Sequence, residues 1–180
     1  MRISGGSLRG RPLAVPAGAR PTEGRVREAL FSIWSGELQG SRVLDLFAGS
    51  GVVALEALSR GALSACAVDQ GLKAVKTIAA NAAQVGEPLA VRKLPLPEGL
   101  ARLAAEGLGP FDLIFADPPY EFTDYESLLK GAAPLLAPSG AIAVEHRARR
   151  ALPLEAGNLV RVDERSYGEC ALSFYRPAPE

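Results

Sequence analysis

The chain has 180 residues, a formal net charge of +0, 48% hydrophobic residues and 22% charged residues. This is the composition of an ordinary globular protein, and the length suits one domain that buries roughly two-thirds of its unfolded surface. The N-terminus lacks the apolar stretch of a signal peptide, and no apolar run is long enough to span a bilayer. We therefore expect a cytoplasmic protein.

The few potential metal ligands are scattered along the sequence. Cys66 and Cys170 lie in separate apolar runs without a Cys-x-x-Cys spacing, and His146 is the only histidine. We therefore predict two reduced core cysteines and no protein-bound metal. His146 is expected at the surface with its hydrogen bonds satisfied.

The beginning of the chain combines positive charge with turn-forming residues. Glu23 is the only acid in the first 27 residues. This asymmetry predicts an arm that contacts phosphate groups, although a solvated basic end would have the same pattern. Residues 2–13 predict a short hairpin around Gly5-Gly6, so we expect a basic arm over 1–21 and a main domain over 22–180. The arginines in this part are Arg2, Arg9, Arg11, Arg20, Arg25 and Arg27.

Thr22 is the predicted N-cap of a helix over 23–34, whose apolar stripe ends at Trp34. From residue 42 onward, apolar strands alternate with helical segments, which predicts a parallel sheet with helices on both faces. The last two strands have no helix between them, so they predict an antiparallel hairpin at one edge. We expect an α/β fold with a mostly parallel, seven-stranded sheet. The predicted strands are 43–48, 64–68, 89–94, 111–116, 141–145, 159–164 and 170–175, and the later helices are 52–60, 72–84, 97–106 and 125–136.

The turn between the first strand of the sheet and its helix has the features of a ligand site. Gly49 and Gly51 allow a tight turn and a close approach of ligand to backbone, and the helix that follows presents unpaired amides. Asp69 ends the next strand, close to the ~20-residue offset at which an acid meets ribose hydroxyls. The pattern predicts a site for an adenosine-containing cofactor, with a tight turn between capping acids as the simpler alternative.

Two cofactor classes fit this turn. Residues 49–54 satisfy the dinucleotide pattern Gly-x-Gly-x-x-Gly/Ala. Asp45, four residues before the first glycine, would disfavour a pyrophosphate and favour the ammonium of an amino-acid moiety. S-adenosylmethionine carries both that ammonium and a ribose diol, so two acids at two strand ends match it better.

A second loop follows the predicted strand 111–116. Asp117-Pro118-Pro119-Tyr120 is stiff, because each proline fixes its own φ and restricts the residue before it. The loop presents a carboxylate, carbonyl oxygens and an aromatic ring at the carboxyl end of a strand. Taken alone, it is more typical of a strand-terminating turn than of a site.

These motifs carry a resemblance that runs nearly end to end. Residues 47–51 and 117–120 resemble the cofactor and catalytic motifs of amino-methyltransferases. The chain is more narrowly similar to the bacterial 16S rRNA guanine-N2 methyltransferase family. The segments that carry this similarity are 2–6, 9–11, 20–22, 25–31, 55–61, 167–168 and 174–175.

The resemblance implies a Rossmann-like class I methyltransferase that uses S-adenosylmethionine. Its substrate would be 16S rRNA in an assembled or assembling small subunit, at the N2 amine of guanine 966, and the enzyme would act as a monomer. The Asp117 carboxylate and the Pro118 carbonyl would accept the N–H bonds of that amine, and Tyr120 would stack on the base. The implied site residues are Asp117, Pro118, Pro119 and Tyr120 for catalysis, Asp45, Phe47, Ala48, Gly49, Gly51 and Asp69 for the cofactor, and the six arginines above for RNA.

Three alternatives stay open. A DNA or RNA adenine-N6 methyltransferase shares the Asp-Pro-Pro-Tyr motif, although 180 residues leave little room for a target-recognition domain. A dinucleotide-binding protein would explain the glycines but not residues 117–120, and a non-catalytic RNA-binding protein would explain only the arginines. Residues 94–97 depart from the family pattern, so the adenine contact is unassigned, and Asn81 is predicted to be structural.

Overall fold

The computed structural model describes residues 1–18 and 24–180. The predicted N-cap Thr22, the start of the first helix at Glu23 and the predicted RNA contact Arg20 lie outside these residues. The described chain forms one sheet with helices on both of its faces. The helices are α1 Gly24–Ile33, α2 Val52–Ser59, α3 Leu72–Val85, α4 Leu100–Ala105 and α5 Tyr125–Ala132. The strands are β1 Arg42–Leu46, β2 Ser64–Asp69, β3 Ala90–Lys93, β4 Phe111–Ala116, β5 Leu136–Arg147, β6 Glu155–Ala156, β7 Leu159–Tyr167 and β8 Cys170–Pro177.

The sheet has the strand order β3-β2-β1-β4-β5-β8-β7-β6. The pairs from β3 to β5 are parallel, and β8, β7 and β6 add antiparallel strands at one edge. The predicted α/β fold with a C-terminal hairpin is confirmed, and the two-residue strand β6 extends the seven predicted strands to eight. Because the strand order reverses between β1 and β4, their carboxyl ends flank the crevice where such sheets bind ligands.

The apolar core is divided by the sheet into two layers. On one face, α1, α2 and α3 bury side chains such as Leu30, Leu55 and Ile78. On the other, α4 and α5 bury side chains such as Leu103 and Leu129. The parallel strands β1, β2 and β4 are buried on both faces, which explains why they read as continuous apolar runs in the sequence.

The N-terminal extension, residues 1–18, is part of the folded body. Arg2 and Pro12 form an isolated antiparallel bridge, as a short hairpin requires. Ile3 and Leu13 are buried in the same core as α1 and α2. This segment therefore shares the core of the main domain. In the part of the chain that the structure describes, no helix is both long and apolar enough to cross a membrane.

Candidate active site

A cavity of about 670 Å³ opens at the carboxyl ends of the parallel strands. Phe47, Gly49 and Asp69, from the ends of β1 and β2, line one part of it. Asp117, Pro118, Pro119 and Tyr120, directly after β4, line the same cavity. The two predicted motifs, some 70 residues apart in sequence, thus meet at one site because β1 and β4 are neighbours in the sheet. Asp45, Ala48 and Gly51 are buried beneath this wall.

The loop after β1 is held by the acid at the end of β2. The two oxygens of the Asp69 carboxylate accept the backbone N–H groups of Gly49 at 3.0 Å and Gly71 at 2.9 Å. Gly49 and Gly51 have φ values of 60° and 79°, in the left-handed region that favours glycine. Phe47 shares that region with φ 56°, and such strained backbone is found most often at functional sites. Asp69 thus fixes the loop, and each of its oxygens can accept one more hydrogen bond.

The side chain of Asp45, on β1, caps the N-terminus of α2. It is buried, and its carboxylate accepts the Ala54 N–H at 3.1 Å, while the Ser50 hydroxyl accepts the Val52 N–H at 3.3 Å. Burial raises the pKa of Asp45, and the nearby charges of Asp117 and Asp69 raise it further against the lowering effect of the Ala54 hydrogen bond. These amides are the groups that would bind a pyrophosphate at this turn. Because protein oxygens already accept the Val52 and Ala54 N–H groups, this turn is less suited to a dinucleotide pyrophosphate.

The loop after β4 is stiff in the structure as well. The Asp117 N–H donates to the Leu46 carbonyl of β1 at 3.3 Å, and the Phe122 N–H donates to the Pro119 carbonyl at 3.0 Å. No backbone hydrogen bond from the described part of the chain reaches the Pro118 carbonyl. Of the two proline carbonyls, it is therefore the one available to a substrate amine. Tyr120 is 49% exposed, so its ring lies at the open side of the cavity.

Several residues of the cavity were absent from the sequence prediction. Phe122 and Tyr125 form an aromatic wall with Phe47, with successive ring centroids 5.5 and 5.2 Å apart. Glu145, His146 and Arg147, at the end of β5, also line the cavity. Because they lie at the carboxyl end of a parallel strand, the sequence could have predicted their place in the site. The additional lining residues are Gln70, Glu121, Glu145, His146, Arg147, Arg149, Arg150, Cys170 and Gly18.

The prediction of a surface position for His146 is wrong, because this side chain is buried between β5 and β8. Its Nδ1 lies 2.8 Å from the Arg147 carbonyl, which can only accept, so Nδ1 carries the proton. Its Nε2 then accepts the hydroxyl of Ser173 at 2.8 Å. Burial is the main cause that lowers the pKa of His146, which keeps the ring neutral. Both nitrogens are engaged, so the ring is no candidate for a catalytic base.

The predicted RNA-binding arginines fall into two groups. Arg2, Arg9, Arg11 and Arg25 are exposed and do not line the cavity. Arg27 is buried, and its Nε donates to Glu56 Oε1 at 3.2 Å. The structure therefore corrects the prediction for Arg27, whose guanidinium holds α1 against α2 and is not accessible to RNA.

Asn81 connects the N-terminal extension to the loop after β1. Its side-chain amide donates to the carbonyls of Ala14 and Ser50 at 2.9 Å each, and its oxygen accepts the Ala14 N–H at 2.9 Å. These bonds agree with the structural role that the sequence suggested. They also explain how residues 1–18 support the loop that carries Gly49 and Gly51.

The strand order, the Gly-x-Gly loop after β1 and the Asp-Pro-Pro-Tyr loop after β4 define a Rossmann-like methyltransferase. Residues 1–176 match the family described as Conserved hypothetical protein 95. The chain belongs to this family.

Named relatives and a solved structure agree with this assignment. The chain is 33% identical over 186 residues to the ribosomal RNA small subunit methyltransferase D of Escherichia coli K12, a match that covers 98% of this chain and 89% of the relative. It is 35% identical over 133 residues to the protein of the same name from Haemophilus influenzae, covering 68% and 65% of the two chains. The structure of a hypothetical protein from Thermus thermophilus superposes with a TM-score of 0.84 at 35% identity, covering 98% of this chain and 99% of that one. The resemblance stated from the sequence is confirmed.

Proposed function

We propose that this protein transfers a methyl group from S-adenosylmethionine to the exocyclic N2 amine of a guanine in 16S rRNA, at position 966. The observation that carries the proposal is the single cavity in which Asp117, Pro118 and Tyr120 face the loop of Gly49 and the carboxylate of Asp69. The names of the curated relatives support rRNA as the substrate.

The residues around the cofactor loop fit S-adenosylmethionine. A volume of about 670 Å³ is within the range of small-molecule sites and leaves room for a cofactor beside a base. Asp69 has acceptor capacity for ribose hydroxyls, and the buried Asp45 places an acid beneath the part of the loop that would hold the ammonium. Phe47, Ala48, Gly49 and Gly51 would shape the wall between them. When bound, the cofactor supplies a methyl group activated by its sulfonium.

The loop after β4 supplies the acceptor side of the reaction. A guanine amine is a poor nucleophile because its lone pair is delocalised into the ring. The Asp117 carboxylate and the Pro118 carbonyl accept its two N–H groups, which favours pyramidal nitrogen and stabilises the positive charge that develops there. Tyr120 stacks on the base, worth about 1–3 kcal/mol. Pro119 keeps these groups in a fixed arrangement, so the transfer is effectively unimolecular.

The structure is compatible with a target base that has left its helix. The acceptor groups lie inside a cavity, and a paired base cannot reach them without flipping. We propose that the substrate is 16S rRNA within an assembled or assembling small subunit, that the enzyme acts as a monomer, and that it works in the cytoplasm, where ribosomes are assembled.

The test is methylation with labelled S-adenosylmethionine of small-subunit particles, naked rRNA and duplex DNA, each unmodified, followed by identification of the methylated nucleoside. N2-methylguanosine from rRNA supports the proposal, whereas N6-methyladenine from either nucleic acid overturns it in favour of the adenine alternative. Asp117→Ala should lower the transfer rate by at least about 10²-fold while leaving cofactor affinity near that of the wild type. Asp163→Ala, which removes an exposed acid from β7, is the matched control and should retain full activity.

A further inference from the structure

The last residue of β5 and the turn after it carry three arginines in four residues, Arg147, Ala148, Arg149 and Arg150, here called the 147–150 loop. All three arginines line the same cavity as Tyr120 and Asp117. Arg149 and Arg150 are exposed, and Arg147 is partly so. The protein has no net charge, so this cluster is a local concentration of positive charge at the mouth of the active site.

The 147–150 loop is held in place by its backbone. The Ala148 N–H donates to the Glu169 carbonyl in the turn between β7 and β8 at 2.8 Å. The Arg150 N–H donates back to the Arg147 carbonyl at 2.9 Å. The same carbonyl accepts the Nδ1 proton of His146. Buried His146 therefore anchors the loop, and the backbone that carries the three arginines is held by hydrogen bonds.

Two of the three guanidinium groups lie over aromatic rings of the cavity. Arg147 lies over the Tyr120 ring, with its Cζ 3.9 Å from the ring centroid. Arg150 lies over the Tyr125 ring at 5.4 Å and donates to the Thr123 carbonyl at 3.0 Å. Within residues 1–18 and 24–180, no carboxylate lies within ion-pair distance of any of the three. Guanidinium stays charged at all physiological pH values, so these charges have no protein anion opposite them there.

The N-terminal arginines are placed differently. Arg2 donates to the Gly10 carbonyl and Arg11 to the Gln84 carbonyl, and neither lines the cavity. Gly18 is the one described residue of the extension that does. A nucleotide whose base lies against Tyr120 brings its own phosphates to the rim of this cavity. Among residues 1–18 and 24–180, the arginines that line this cavity all belong to the 147–150 loop.

On the basis of the proposed function, we infer that the 147–150 loop is the phosphate clamp for the rRNA strand that carries the target guanine. Planar guanidinium groups match phosphate oxygens with two parallel hydrogen bonds, and they also stack on aromatic rings. The 3.9 Å stack of Arg147 on Tyr120 is too close to admit a base between the two groups. Arg147 therefore covers that face of Tyr120 in the free protein and moves to a phosphate when the base takes its place.

The test compares RNA binding by Arg147→Ala, Arg147→Lys and Arg149→Ala with that of the wild type across a series of salt concentrations. The probe is an unmodified small-subunit rRNA fragment containing the target guanine. Each alanine variant should weaken binding about tenfold at low salt and reduce the slope of log K against log salt by about 0.7–0.9. Arg147→Lys keeps the charge, so its slope should stay within error of the wild type. Arg102→Ala on α4, outside the cavity, is the matched control and should change neither quantity.

Binding of free guanosine separately tests whether Arg147 covers the face of Tyr120 that a base would occupy. Guanosine has no phosphate, so it cannot use a contact with Arg147. The Arg147→Ala variant, in which the Tyr120 ring is uncovered, should therefore bind guanosine at least as tightly as the wild type while binding RNA more weakly. If both alanine variants keep the wild-type salt slope and the wild-type protein methylates rRNA, the clamp is overturned and the proposed function stays intact. A wild-type protein that binds the fragment with loop-dependent salt sensitivity but never methylates rRNA would overturn the proposed function and leave the clamp standing. If the wild-type protein binds only small-subunit particles, the same salt series is measured with the particles. A wild-type protein that binds neither the fragment nor particles with the unmodified guanine would overturn both.

Discussion

Glu56 on α2 should be one of the side chains on which the stability of this protein depends most. Its side chain is 0% exposed and faces Arg27, 7% exposed, and Arg60, 26% exposed. Glu56 Oε1 accepts the Ser4 N–H at 2.8 Å and Arg27 Nε at 3.2 Å, and Oε2 accepts the Ser4 hydroxyl at 2.7 Å and Arg60 Nε at 3.1 Å. One carboxylate thus joins the N-terminal extension, α1 and α2.

Glu56→Gln keeps the shape of the side chain and removes the charge. The amide nitrogen of glutamine would face a donor, and the buried Arg27 guanidinium would lose its counter-ion. Removing one partner of a buried ion pair costs about 3–5 kcal/mol, because the other charge is left uncompensated. For a chain of this length, each kcal/mol lowers Tm by about 2–4 °C, so we expect a fall of about 6–20 °C.

The assay is urea unfolding followed by circular dichroism, with the thermal midpoint as a second measurement. Glu126→Gln is the matched control, because Glu126 is 61% exposed and its partner is Lys130 one turn away on α5. That substitution should cost less than about 0.5 kcal/mol. The reasoning is refuted if Glu56→Gln costs no more than the control. Arg27→Met combined with Glu56→Gln should cost less than the sum of the two single changes, because the pair is coupled.

Two further predictions concern the backbone and the pH dependence. Gly6 and Gly10 have similar φ values of 81° and 85°, but a Cβ at Gly6 would lie 2.0 Å from the Ser59 carbonyl oxygen. No atom of the described residues lies within 4 Å of a Cβ at Gly10. Gly10→Ala should cost about 1–2 kcal/mol for its φ alone, and Gly6→Ala clearly more; equal losses in urea unfolding would contradict this clash. The pKa of Asp45 is raised in the folded protein. The stability that its protonated form contributes is therefore present at low pH and is lost as the pH rises through the folded-state pKa. Asp45→Asn should therefore raise Tm at neutral pH while weakening cofactor binding. A lower Tm across the whole pH range, measured by calorimetry without cofactor, would show that the carboxylate stabilises the fold.

Short-range patterns determined the fold and the two central motifs. Alternating apolar strands and helices specify a parallel sheet, because a strand that is followed by a helix returns to the same sheet with one handedness. The same pattern places Asp69 and Asp117 at strand ends, and all strand ends of a parallel sheet meet at one edge. The glycines of the Gly-x-Gly turn permit positive φ values, and each proline of the Pro-Pro pair fixes its own φ, so both loop types can be predicted from their residues.

What only the tertiary structure decided is which of several similar charges is buried and which is free for a ligand. In the sequence, Arg27 and Arg147 are both arginines near an apolar segment. Arg27 is buried because α1 packs on α2 at the position of Glu56, and Arg147 reaches the active site because the β7–β8 turn supports its loop. The N-terminal charge cluster predicted that the arm binds RNA. The arginines that line the cavity among the described residues lie some 120 residues later in the chain. Charge contacts of this kind depend on the spatial distances between segments that are far apart in the chain. Composition and periodicity describe only residues that are near one another in the sequence.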